Sequence, residues 1–260
     1  MNILDEITAA KRKEVEILKQ ATPARDLERS VLFDRQCLSL KDFILDPQKT
    51  GIIAEFKRRS PSKGVINDSA SVESVTTGYA AAGASALSVL TDLNYFGGTN
   101  EDLLKARAVN AIPILRKDFV VDEYQVIEAK SIGADAILLI AAVLERQEIK
   151  RFSELAASLS LSVLLELHEE SEFDKIDGVI SVIGINNRNL KTFAVDVDQS
   201  ILLAHKLPKE YLKVSESGID DPRTIKHLKM NGYKGFLIGE NFMKTPDPGK
   251  AMSEFVKGIK

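Results

Sequence analysis

Residues 52–64, IIAEFKRRSPSKG, open as an unbroken apolar run and close on a cluster of charge. Side chains of a strand alternate between two faces, so Glu55 and Lys57 lie on the face that Ile53 occupies. Ile52, Ile53 and Ala54 show no polar alternation, the pattern of a strand covered on both faces in a parallel sheet. What comes next separates the two common parallel architectures. A doubly wound sheet is expected to carry a glycine fingerprint at its first turn, and KRRSPSKG is not one. The stretch therefore reads as the first strand of a barrel, with an acid and a base turned inward at its end.

Seven more runs of the same kind follow: ASALSVLT, AIPILRKDF, ADAILLIAA, LSVLLELH, GVISVIGINN, YLKVSES and KGFLIGE. Between them lie amphipathic helical patterns over 72–82, 101–109, 122–132, 145–159, 197–206 and 222–230. Gly83-Ala84 and Gly133-Ala134 each end a helix and open a strand at once. Eight βα units in a chain of 260 residues match a (β/α)8, or TIM, barrel of about 250 residues. Before the barrel, Ile3, Leu4, Ile7, Lys11, Glu14, Val15 and Leu18 form a stripe at helical spacing, broken at Thr22-Pro23. A second helix is expected from Leu38 to Leu45, ended by Asp46-Pro47. The expected layout is one α/β domain over 1–260, with 1–47 a helical extension and 51–260 the barrel.

Composition narrows the function. A formal charge of −3 leaves no global footprint for nucleic acid or anionic lipid. Cys37 is the single cysteine, and the histidines (His168, His205, His227) form no HExxH pattern, so neither disulfide framework nor metal site is expected. No run reaches the ~18 apolar residues of a membrane span, and the N-terminus has no secretion signal. The expected location is the cytoplasm.

Active sites of such barrels lie at the C-terminal ends of the strands. Polar residues gather there: Glu55 and Lys57 on strand one, Lys117 on three, Glu166 on five, Asn186 and Arg188 on six, Glu216 on seven. Unpaired buried charges cost several kcal/mol each, so a catalytic or ligand-binding role is expected for the group. Arg58 and Arg59 read as surface or rim-pairing charges, and His168 as a loop residue. The turns after strands seven and eight, Ser217-Gly218 and Gly239-Glu240, suit a phosphate held by backbone N–H groups, with Ser60 adding a hydroxyl. Phe96, Phe119 and Leu190, just past strand ends, would wall a flat ring.

IIAEFKRRSPSKG, LSVLTD, LRKDF, LLELH, IGINNRNL, SESGI and LIGENFM, in that order and on those strands, resemble the indole-3-glycerol phosphate synthase family. The resemblance spans the chain and departs at Asn189, where members often carry an acid. It implies conversion of 1-(2-carboxyphenylamino)-1-deoxyribulose 5-phosphate to indole-3-glycerol phosphate, CO2 and water, without cofactor or metal. By resemblance Lys117 is the general acid, with a pKa lowered by burial and nearby cations, and Glu166 the general base. Lys57 and Glu55 position substrate and assist proton transfer; Arg188 and Asn186 hold the anthranilate and sugar portions; Glu216 orients its neighbours. Ser60, Ser217, Gly218, Gly239 and the backbone of Glu240 form the phosphate cradle. The implied partner is the phosphorylated small-molecule substrate alone, with no fused isomerase and a monomer favoured. The isomerase of the same pathway would need a Cys and an Asp, and Cys37 precedes the first strand.

Overall fold

The computed structural model describes residues 3–180, 182–189 and 194–259. Eight parallel strands close into a barrel: β1 (Ile52–Phe56), β2 (Ala86–Leu90), β3 (Ile114–Lys117), β4 (Ala136–Ile140), β5 (Ser162–Leu167), β6 (Val182–Asn186), β7 (Leu212–Glu216) and β8 (Gly235–Ile238). Each strand pairs with its neighbours in sequence, and β1 pairs with both β2 and β8, so no sheet edge is left. All eight expected runs are strands. A hairpin of Arg59–Ser60 against Gly64–Val65, which the sequence reading did not foresee, rises from the β1 exit.

Two apolar cores follow from the two faces of each strand. Ile52, Ala54 and Phe56 point outward and pack with the surrounding helices, including Tyr79, Phe152 and Phe242. Ile53, Leu115, Leu138, Leu164, Val214 and Leu237 point into the bore. Burying one such side chain is worth about 1.5–3 kcal/mol, so the bore is a major stabilising element rather than a pore. The helix Leu40–Leu45 sends Leu40 and Ile44 into this inner core and plugs the N-terminal end of the barrel. Its start is capped by Ser39, whose hydroxyl accepts the Asp42 N–H.

The first helix, α1 (Ile3–Ala21), ends at the expected Thr22-Pro23 break. Val15 and Leu18 pack with Val121 and Tyr124, while Lys19 meets Asp122 at 2.6 Å. Lys11, set within the apolar stripe, is 2% exposed; its ammonium lies 2.9 Å from Asp92 and 3.1 Å from Asp118. Burial pulls that ammonium down, yet the two carboxylates outweigh it and hold its pKa above the ordinary lysine value. Asp118 is shared with Thr91 and Arg116, and Arg116 reaches on to Glu128 at 2.5 Å. A buried polar network thus ties α1 to the turns after β2 and β3. Among the described residues no helix is long and apolar enough to cross a membrane.

Candidate active site

At the C-terminal mouth the inner strand positions change from apolar to charged. Above Ile53 stands Glu55, above Leu115 Lys117, above Leu164 Glu166, and above Val214 Glu216. These side chains line a cavity of about 540 Å³ floored by Leu138, Ile140 and Leu237. Ile3, Leu4 and Ile7 of α1 close part of its rim.

Lys117 is the hub. Its Nζ lies 2.8 Å from Glu166 Oε2 and 3.3 Å from Glu216 Oε2. Glu166 Oε1 accepts the Asn186 side-chain amide at 3.1 Å and faces His168 Nε2 at the same distance. Lys57 Nζ stands 2.7 Å from Glu55 Oε1 as a second pair. Asn186 Oδ1 also accepts the Arg188 backbone N–H, which shapes the β6 exit, and the Arg188 guanidinium lies 3.8 Å from Glu240.

The electrostatics correct one expectation. Burial does draw the Lys117 ammonium down, but Glu166, Glu216 and Glu55 surround it and raise its pKa above the ordinary lysine range. The sequence reading assumed neighbouring cations; the nearest charges are carboxylates. For Glu166, burial pushes the carboxyl up, and Lys117 with His168 more than reverses this, holding it well below the usual value. Glu216 goes the other way, pushed up to about 8 by burial and by Glu166 and Glu55 against the pull of Lys117. Three carboxylates share the field of two lysines, and the one pushed up, Glu216, is the one with an unpartnered oxygen, Oε1.

Two glycines make this crowding possible. A Cβ on Gly184 of β6 would sit 2.0 Å from Glu216 Oε1, and one on Gly239 would sit 2.4 Å from Glu55 Oε1. Gly184 has no signal in a single sequence, because its need arises from a carboxylate on the next strand. After β7, Ser217 and Gly218 take left-handed conformations (φ 71° and 69°), which for serine stores strain of about 1–3 kcal/mol. Asn187 holds the turn by donating to Ser215 Oγ at 3.1 Å and to the Ser217 carbonyl at 2.7 Å. Ser60 Oγ is buried beside the cavity with no hydrogen-bond partner.

The expected residues therefore meet. Glu55, Lys57, Ser60, Phe96, Lys117, Phe119, Glu166, Asn186, Arg188, Glu216, Ser217, Gly218, Gly239 and Glu240 all border the one cavity. The Phe96 and Phe119 rings lie 6.1 Å apart as a tilted pair. Leu190 falls outside the described residues. Arg58 pairs with Asp102 at 2.6 and 2.8 Å, and Arg59 donates to the Leu93 carbonyl, so both are rim-bracing charges. The sequence reading missed three groups: Gly184, the Lys11 anchor and His168. Among the described residues no cluster of three or more His, Cys, Asp or Glu is arranged to hold a metal ion.

Comparison with known proteins accords with this geometry. The family model for indole-3-glycerol phosphate synthase matches residues 4–255. An indole-3-glycerol phosphate synthase of Bacteroides thetaiotaomicron is 50% identical over 258 residues, covering 99% of each chain. One of Salinibacter ruber is 43% identical, covering 97% of this chain and 94% of its own. Among solved structures, a chain of the tryptophan synthase complex of Pyrococcus furiosus superposes with a TM-score of 0.57 at 14% identity, over 81% of this chain and 98% of that one. That likeness speaks to the barrel alone. The match along the whole barrel and its N-terminal helix settles the lineage: the chain belongs to the indole-3-glycerol phosphate synthase family, decarboxylating lyases of tryptophan biosynthesis.

Proposed function

We propose that Lys117 and Glu166 are the acid and base of the family's decarboxylating ring closure, with Lys57 and Glu55 positioning the substrate beside them. The observation that carries this is the Lys117 ammonium set 2.8 Å from Glu166 in the wall of the cavity. In the first stage the ring carbon bearing the carboxylate bonds to the ketone carbon. The ketone oxygen takes a proton from Lys117, and the carboxylate leaves as CO2. In the second stage the new hydroxyl takes a proton from Lys57 and departs as water, while Glu166 takes one from the methylene beside the nitrogen of the closed ring. An ammonium held by carboxylates stays charged throughout the working pH range. It is thus always loaded as an acid, and the substrate's own charge must loosen its grip on Glu166 before it can donate.

The remaining groups bind. Ser60 Oγ, lacking a partner, and the strained Ser217-Gly218 turn suit a phosphate, together with Gly239 and the Glu240 backbone. Arg188 and Asn186 hold the anthranilate carboxylate and the sugar chain; Phe96 and Phe119 wall the ring. One chain supplies the whole set, which favours a working monomer; sedimentation velocity giving a dimer as the smallest active species would reject that. The chemical test is to mix the protein with the carboxyphenylamino-deoxyribulose phosphate and follow indole fluorescence and CO2. Lys117→Met is expected to lower kcat by about 10²–10⁴-fold. A folded variant with near-normal turnover removes Lys117 from its role, and no product from the native protein overturns the reading.

A further inference from the structure

His168 lies two residues beyond Glu166, where the sequence suggests a loop. The structure instead turns its ring inward. The side chain is 10% exposed, with Nε2 3.1 Å from Glu166 Oε1 and Nδ1 4.0 Å from Glu172 Oε2. Glu172, on the 3-10 turn Glu170–Lys175, is buried too and accepts the His168 backbone N–H at 2.6 Å. Both ring nitrogens are shut off from solvent, yet neither is aligned for a hydrogen bond. Leaving buried polar atoms unsatisfied costs about 1–3 kcal/mol each, so their placement against the base invites a functional account.

Glu166 divides its two oxygens. Oε2 faces Lys117, the acid; Oε1 faces Asn186 and His168. We infer that His168 is a positioning residue for Glu166, aiming Oε1 into the cavity and setting, through its own proton, how strong a base that carboxylate is. The inference rests on Glu166 being the base. Around the ring stand Glu166 on β5, Glu172 on the following turn and Glu216 on β7, with Lys117 of β3 beyond Glu166. Burial draws the imidazolium down, and the three carboxylates outweigh it and lift its pKa above 6.5. Burial likewise pushes the Glu172 carboxyl up.

The sign of the effect follows. Below its raised pKa, His168 is an imidazolium that stabilises ionised Glu166 and weakens it as a base. As pH rises through that value the ring becomes neutral. Nε2 stays 3.1 Å from Oε1, so the neutral ring keeps the aim while Glu166 gains basicity. His168 therefore contributes a rising limb to the pH profile of kcat on the alkaline side of 6.5.

The direct test is imidazole NMR across pH on the native protein, whose histidines besides His168 are the surface residues His205 and His227. The signal lost in His168→Gln should titrate above 6.5 and move down in Glu166→Gln. Kinetics supply the second arm. His168→Gln, whose amide can reach Oε1, should keep kcat within about threefold while losing the rising limb; His168→Leu should lose about tenfold in kcat, with KM nearly unchanged. A His168 titration indifferent to Glu166→Gln, or wild-type kcat and profile in both variants, overturns the inference. If the native protein makes no product, the assignment of the base fails on its own, and the NMR arm still decides whether the two residues are coupled.

Discussion

Replacing Lys11 with methionine probes how α1 is fixed to the barrel. The ammonium sits 2.9 and 3.1 Å from two carboxylates, and all three side chains are 2% exposed. At an effective dielectric of about 20, opposite charges 3 Å apart attract by about 5 kcal/mol. Loss of hydration on burial offsets several kcal/mol per ion, so the intact cluster adds only modestly to stability. Methionine removes the attraction and leaves the carboxylates buried. Asp118 keeps Arg116 and Thr91, but Asp92 is left with the Tyr95 N–H that it caps. The expected loss is about 3–5 kcal/mol, a large part of the roughly 5–15 kcal/mol that holds a typical domain. Urea denaturation followed by far-ultraviolet circular dichroism reads it. In an Asp92→Asn background, which retains the cap acceptor, the same substitution should cost about 2 kcal/mol less. Because α1 brings Ile3, Leu4 and Ile7 to the cavity, KM for substrate should rise as well. A cost below about 1 kcal/mol, or one equal in both backgrounds, would refute the anchoring role.

Other expectations follow from single distances. Gly184→Ala drives a methyl to 2.0 Å from Glu216 Oε1, so the carboxylate must leave Lys117; kcat should fall by about 10–100-fold with the far-ultraviolet spectrum unchanged, and normal turnover would show the site has slack. Glu216 binds a proton in the folded state up to about pH 8, whereas its unfolded value is 4.5. Its contribution is complete below 4.5 and is lost as pH rises to 8, at up to about 1.4 kcal/mol per pH unit. Denaturation midpoints at several pH values should show that slope flattened in Glu216→Gln, and an unaltered slope counts against the assignment. Ser60→Ala should raise KM by about tenfold or more with kcat little changed, since a hydrogen bond to a charged group is worth about 1.5–3 kcal/mol. A fall in kcat instead would move Ser60 from binding to chemistry.

The barrel was legible because strands buried on both faces lose the polar alternation that marks a surface sheet, and every such run is a strand. The C-terminal ends of the strands then pointed to Glu55, Lys117, Glu166 and Glu216. What the sequence withheld depends on neighbours far apart in the chain. Lys11 sat openly in an apolar stripe, yet its partners, Asp92 and Asp118, follow other strands. The direction of the Lys117 shift was misread for the same reason: residue types at strand ends do not say which charges come within 3 Å. His168 looked like part of a turn because the chain does leave the strand at Leu167, but its side chain folds back over Glu166. The Gly184 requirement is visible only from Glu216.

The plug formed by Leu40–Leu45 carries a consequence for traffic. With Leu40 and Ile44 seated in the bore, the barrel is, among the described residues, a well closed at its N-terminal end and open at its mouth. Carbon dioxide, water and the indole product leave through the mouth whose rim α1 partly closes, by the route the substrate took in. Turnover in such a well has a natural queue, in which the small gas can slip out early and the phosphate-tethered product goes last. The pace of the doorway helix, rather than the chemistry below it, can then set the rhythm of the enzyme.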